Sequence, residues 1–357
     1  MNTQAPHQQL RRLRQQEAWR AMIRETRLSP DQLVMPLFVR PGSNIRAPIP
    51  AMPGQFQLSI DQLVKECQDL YAHHVPAVLL FGLADRKKDE LAKGAYAGDG
   101  LMQRAIAAVK ASVPKLLVIS DVCLCAYTSH GHCGILKRTQ DTRHKTQGKM
   151  GKKRSPVLSL ESRVRDHFWI DNEATCETLA KVAVSHAQAG VDMVAPSDMM
   201  DGSVRAIRST LDKSGHSPLP IMAYAAKFAS ALYAPFRTAV DSSPAFGDRR
   251  SYQLDPANSD EALRKARHDF EDGADVIMVK PATGYLDIVR RVKDSLRCPT
   301  AAFSVSGEYA MVKAAAARGW ISETPVWIEM LLGMKRAGAD VLITYWAKEA
   351  AILLQKK

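Results

Sequence analysis

The 357-residue chain is 46% hydrophobic and 24% charged with ordinary glycine and proline, a globular composition that fits one large domain or two ordinary ones. Six cysteines are too few for a disulfide scaffold, and no run approaches the roughly 20 apolar residues of a membrane span. The formal charge of +12 invites a nucleic-acid reading, but residues 137–169 hold ten Lys or Arg against three acids, and without that surplus of seven the charge is +5. That remainder is ordinary for an enzyme of anionic substrates, and no nucleic-acid-binding module accompanies the basic stretch.

Residues 1–24 are polar and basic and lack the apolar stretch of a signal peptide, so a soluble, cytoplasmic protein is expected. Short β-rich apolar runs then recur at residues 33–39, 77–81, 116–120, 192–195, 220–223, 276–279, 300–305 and 341–344. Stretches with helical spacing lie between them, at 60–73, 101–111, 176–189, 260–272, 285–295, 310–318 and 325–337. Near-continuous apolar strands alternating with helices predict a parallel sheet, and eight of them suggest a closed (β/α)8 TIM barrel. An open doubly wound sheet is the alternative, although no Gly-rich phosphate loop follows the first strand.

Polar groups stand at the strand ends. Asp121 follows the third run, Ser197 the fourth, Lys227 the fifth, Lys280 the sixth and Ser306 the seventh, and Tyr345 sits on the eighth. A barrel brings these positions to one mouth, where active sites are built. An ammonium at such a place is costly unless it is paired or its pKa falls, and two lysines sharing one cavity would depress each other and favour the free amine that attacks a ketone. A single barrel-end lysine would equally suit anion binding.

Directly after the third strand, Cys123, Cys125 and Cys133 crowd together with His130 and His132. Thiolates favour zinc, and three protein ligands leave a tetrahedral position open for catalysis. Either histidine could instead close the site as a fourth ligand. Cys67, Cys176 and Cys298 stand alone and read as packing residues.

Taken with segments 121–134, 195–202, 222–237, 247–253, 278–281 and 305–309, these residues closely resemble the porphobilinogen synthases, over most of the chain. The resemblance implies a zinc enzyme of tetrapyrrole (heme) biosynthesis that condenses two 5-aminolevulinate molecules through lysine Schiff bases. It implies that Lys280 binds the first substrate and Lys227 the second. Ser306 and Tyr345 would hold the first carboxylate, and Arg237, Arg249 and Gln253 the second. Tyr233 and Phe236 would lie on a lid. Asp121 and Asp198 both remain candidates for proton transfer. Residues 1–27 resemble an arm that wraps a neighbouring subunit, implying a homo-oligomer, commonly an octamer, with residues 28–357 as the barrel.

Two departures stand out. Residues 136–168 form a basic insertion that could cover the site, contact a neighbouring subunit or stay surface-exposed. Family members with an allosteric magnesium carry a glutamate where this chain has Lys265, so no Mg2+ activation is expected there. A class I aldolase-like barrel is the rival reading; it explains one lysine but neither the second nor the cysteines.

Overall fold

A computed structural model of the chain describes residues 10–138 and 168–355. The first nine residues of the expected arm and nearly all of the basic insertion lie outside the described residues.

Eight strands form the barrel: β1 (Leu33–Val39), β2 (Ala77–Gly82), β3 (Leu117–Val122), β4 (Met193–Pro196), β5 (Met222–Lys227), β6 (Val276–Lys280), β7 (Thr300–Phe303) and β8 (Val341–Ile343). Their order in the sheet is β4-β3-β2-β1-β8-β7-β6-β5, with every neighbour parallel. A parallel bridge between Val194 and Ile221 joins β4 to the start of β5 and closes the ring. The expected (β/α)8 barrel is therefore the fold. Every residue of β1, β5 and β6 is buried, as a sheet covered on both faces requires.

Helices cover the outside, among them Ile60–Ala72, Leu101–Ser112, Asn172–Gln188, Ser203–Lys213, Ser259–Glu271 and Leu286–Leu296. In Ser203–Lys213 the buried Val204, Ile207 and Leu211 recur at helical spacing and form its inner stripe. No helix among the described residues is long and apolar enough to cross a membrane.

A repeated device fixes the rim opposite the strand-end residues. Asp192, Asp275 and Asp340 precede β4, β6 and β8, and each carboxylate accepts a backbone N–H from the strand alongside: Val118 at 2.8 Å, Ile221 at 2.8 Å and Thr300 at 2.9 Å. Lys110 and Lys293 close ion pairs to the first and third of these, at 2.8 and 2.6 Å. Bonds at the bottom of a barrel, away from the mouth, serve stability rather than chemistry.

All strands but β1 end at a different residue from the expected one, most of them by one or two residues. β5 runs on to Lys227 rather than stopping at 223, because pairing with β6 carries it through Ala225 and Ala226, small residues with little strand signal of their own. β3 likewise extends past 120 to include Asp121. β7 stops at Phe303, since Ser306 already begins the helix Ser306–Ala317, and Tyr345 lies just beyond β8.

Strands Leu136–Arg138 and Phe168–Ile170 pair antiparallel, so the two ends of the basic stretch meet beside the barrel. Asp171 then caps the helix Asn172–Gln188 by accepting from the Ala174 N–H at 3.2 Å. At the other end of the chain, Leu10, Leu13, Trp19, Met22 and Ile23, within the expected arm, leave large apolar side chains exposed.

Candidate active site

The two lysines meet. In the ladder between β5 and β6, Ile277 faces Ala223 but Val279 faces Ala226, so β5 carries one extra residue there. This bulge brings Lys227 level with Lys280 as direct partners across adjacent parallel strands. It also lets Tyr224 and Lys227, three residues apart, face the same interior: the Tyr224 ring centre is 5.5 Å from Lys227 Nζ and 5.0 Å from Lys280 Nζ.

Both ammonium groups are buried. Lys227 Nζ donates to the Ser197 carbonyl. Lys280 Nζ is ringed by Phe303 at 4.2 Å, Phe236 at 5.0 Å, Tyr233 at 5.5 Å and Phe81 at 5.7 Å. Ring faces replace only part of a lost hydration shell. Burial, and after it the charge of Lys227, lower the Lys280 ammonium to about 7.

Lys227, Lys280, Asp121, Cys125, Ser197, Tyr233, Phe236, Arg237, Arg249 and Phe81 line one cavity of about 20 Å³, room for roughly one water. Asp121 keeps some accessible surface where it borders this space. Burial raises its carboxyl to about 6, against the pull of Lys227, a hydrogen bond from Ser197 and the charge of Lys280. Its Oδ1 has no partner. Asp198 is separate: its Oδ1 accepts from the Met200 N–H at 2.7 Å, and it does not line this cavity.

The sulfurs of Cys123, Cys125 and Cys133 lie within 4.8 Å of one another in a buried cluster. Hydrogen bonds from Cys123 and Cys125 hold the Cys133 thiol well below its ordinary range. A tetrahedral ion with metal–sulfur bonds of about 2.3 Å keeps its sulfurs about 3.8 Å apart, inside the observed span, so the three residues fit a metal. Neither histidine joins the cluster. Both ring nitrogens of His132 are engaged elsewhere, and His130 Nδ1 accepts from the His132 N–H at 3.2 Å. Among the described residues the set is three thiols, the open-site pattern.

Arg237 and Arg249 converge on the same cavity. Burial, then the Arg249 charge, lower the Arg237 pKa. Burial also works against the charge on Arg249, but the sulfurs of Cys133 and Cys125 hold its pKa above the ordinary value. The Nε of each guanidinium is buried without a partner. Two forked cations with unspent donors suit a carboxylate.

Three expected substrate-binding residues lie outside the lining. Ser306 Oγ accepts from the Phe236 N–H at 3.1 Å and donates to the Leu232 carbonyl at 3.3 Å, which ties it to the segment 232–236 expected to form a lid. Tyr345 is fully buried behind Phe303, its hydroxyl unpartnered. Gln253 borders a larger cavity of about 590 Å³, lined in part by residues 250–254, which holds neither lysine. Lys265 also borders that larger cavity and pairs with Asp269 at 2.5 Å. Sequence reasoning overlooked Phe81, Tyr224 and Phe303, whose rings surround the lysines; lying within apolar runs, they carried only a packing signal.

A (β/α)8 barrel whose mouth brings two buried lysines together beside a trio of thiols has the layout of a barrel enzyme with paired amines and a cysteine cluster that fits a metal. A family model for delta-aminolevulinic acid dehydratase matches residues 7–154 and 160–353. The delta-aminolevulinic acid dehydratase of Halalkalibacterium halodurans is 47% identical, with 97% of each chain covered. That of Synechocystis sp. is 49% identical over 97% of this chain and 98% of its own. The solved structure of the Toxoplasma gondii ME49 enzyme, in complex with its reaction product porphobilinogen, superposes with a TM-score of 0.87 at 41% identity, covering 98% of this chain and 93% of that one. The chain belongs to the delta-aminolevulinic acid dehydratase family, and it is accordingly a lyase.

Proposed function

We propose that the chain condenses two 5-aminolevulinate molecules to porphobilinogen, with Lys280 and Lys227 each forming a Schiff base. The observation that carries this reading is the direct pairing of the two lysines on adjacent strands, inside one cavity with Asp121 and Arg249. The reaction makes one C–C and one C–N bond, releases two waters and ends with loss of a proton that aromatises the ring.

Lys280, with its proton affinity lowered, is the amine suited to attack the first ketone. Lys227, oriented by the Ser197 carbonyl, takes the second substrate. Arg237 and Arg249 offer unpartnered donors to the second carboxylate. Ser306 and Tyr345 are assigned to the first carboxylate, which for Ser306 means exchanging its lid bonds for substrate. Asp121 is preferred over Asp198 for proton movement, because it borders the cavity and its carboxyl sits near neutrality. The cysteine trio would hold zinc. Bound there, zinc would supply Lewis acidity toward the second substrate's amino group.

Turnover should rise with pH through about 7, since the Lys280 amine is free above that value and protonated below it. A pH–rate profile of kcat/KM checks this; a profile flat from about pH 6 to 8 contradicts it. With Lys265 already committed to Asp269, no magnesium activation belongs to this reading.

The exposed apolar side chains of the arm support a homo-oligomer, with an octamer the assembly the resemblance implies. Removing residues 1–27 is expected to yield a smaller particle by light scattering; an unchanged mass would exclude the arm from assembly.

A further inference from the structure

The loop carrying Cys133 and the segment 242–254, which carries Arg249, touch backbone to backbone. Gly131 adopts φ +72°, and a Cβ there would stand 2.4 Å from the Ser243 carbonyl oxygen. The Ala245 N–H donates to the His130 carbonyl at 3.0 Å, and Arg249 Nη2 donates to the Gly131 carbonyl at 2.9 Å.

At the centre of this contact lies a chain of bonds with a single direction. His132 Nε2 faces the Phe246 carbonyl at 3.1 Å, an acceptor only, so the proton is on Nε2 and Nδ1 is an acceptor. The Tyr252 hydroxyl, 3.2 Å away, donates to Nδ1. The same hydroxyl oxygen accepts the Cys133 N–H at 3.4 Å. Polarity thus runs from the Cys133 backbone through Tyr252 and His132 to Phe246. The His132 ring packs 4.9 Å from that of Phe246, centre to centre.

We propose that His132 and Tyr252 form a latch between the metal site and the arginine-bearing segment: a metal on the three thiols orders residues 242–254 and so presents Arg249, and the ordered segment in turn retains the metal. They are positioning residues. The latch rests on the three-thiol metal site proposed above. A metal fixes Cys133, and fixing Cys133 fixes the N–H that starts the chain. Coupling of this kind is reciprocal by thermodynamic necessity.

The test uses the full-length protein with zinc as the probe. Hydrogen exchange of peptides covering 242–254 in the wild type is expected to slow by roughly tenfold or more on zinc loading. Tyr252→Phe and His132→Ala should lose most of that difference and release zinc to a chelator at least about tenfold more readily. They should also raise KM for 5-aminolevulinate several-fold more than they lower kcat, while Ser251→Ala next door behaves as wild type. Equal exchange in the zinc-loaded and zinc-free wild type overturns the latch and, needing no variant, cannot be blamed on misfolding. Tyr252→Phe with unchanged zinc release and unchanged exchange overturns it too. A wild-type chain that binds no zinc overturns the metal reading itself and the latch with it.

Discussion

Replacing Lys280 with alanine is expected to abolish turnover, a loss on the order of 10⁴-fold or more, as when the central nucleophile of a covalent mechanism is removed. The side chain sits among aromatic rings with its proton affinity lowered, so its loss deletes the amine most available to a ketone at neutral pH. The fold should persist, since the substitution removes a buried charge rather than an apolar anchor; circular dichroism would verify this. The companion measurement is borohydride trapping of the wild type with 5-aminolevulinate, followed by peptide mapping. Label on Lys280, Lys227 or both is expected. Label on neither would end the Schiff-base mechanism, and residual turnover of a tenth or more in the alanine variant would strip Lys280 of its role.

Metal removal should be nearly as damaging. Chelation is expected to lower the rate by at least about 100-fold, with recovery on adding zinc, because Lewis-acid assistance is worth several kcal/mol. Cys125→Ala should lower zinc content and rate together, since its sulfur is one of three within 4.8 Å and borders the cavity of the lysines. The decisive comparison is metal content against activity across the variant and the chelated wild type. Full activity in metal-free protein would leave the cysteines a structural part.

Much of this arrangement was legible in the sequence because it rests on local signals. Apolar runs separated by helical spacing predicted the barrel, and the dense Cys123, Cys125 and Cys133 spacing marked the thiol cluster. Lysines at the ends of apolar strands marked the two amines that meet in one cavity. What was not legible depends on long-range geometry. Nothing near Phe81, Tyr224 or Phe303 distinguishes a ring around an amine from a ring in a core, because both are apolar residues in strands. Asp192, Asp275 and Asp340 each follow a Gly-Val or Gly-Ala pair ahead of a strand, a recurring pattern in the text of the chain whose purpose appears only when the neighbouring strand's N–H is in place. The engagement of Ser306 likewise depends on how a distant segment, 232–236, folds back.

The extra residue in β5 carries a wider consequence. Side chains alternate across a strand, so dropping one residue between Ala223 and Lys227 would turn the second amine toward the surrounding helices and leave the ring of strands otherwise able to close. Substitutions along this stretch change sizes; a change of length changes which way the chemistry points. Related sequences that keep the function should therefore tolerate exchanges among the small residues here while holding the count between Ile221 and Lys227 fixed.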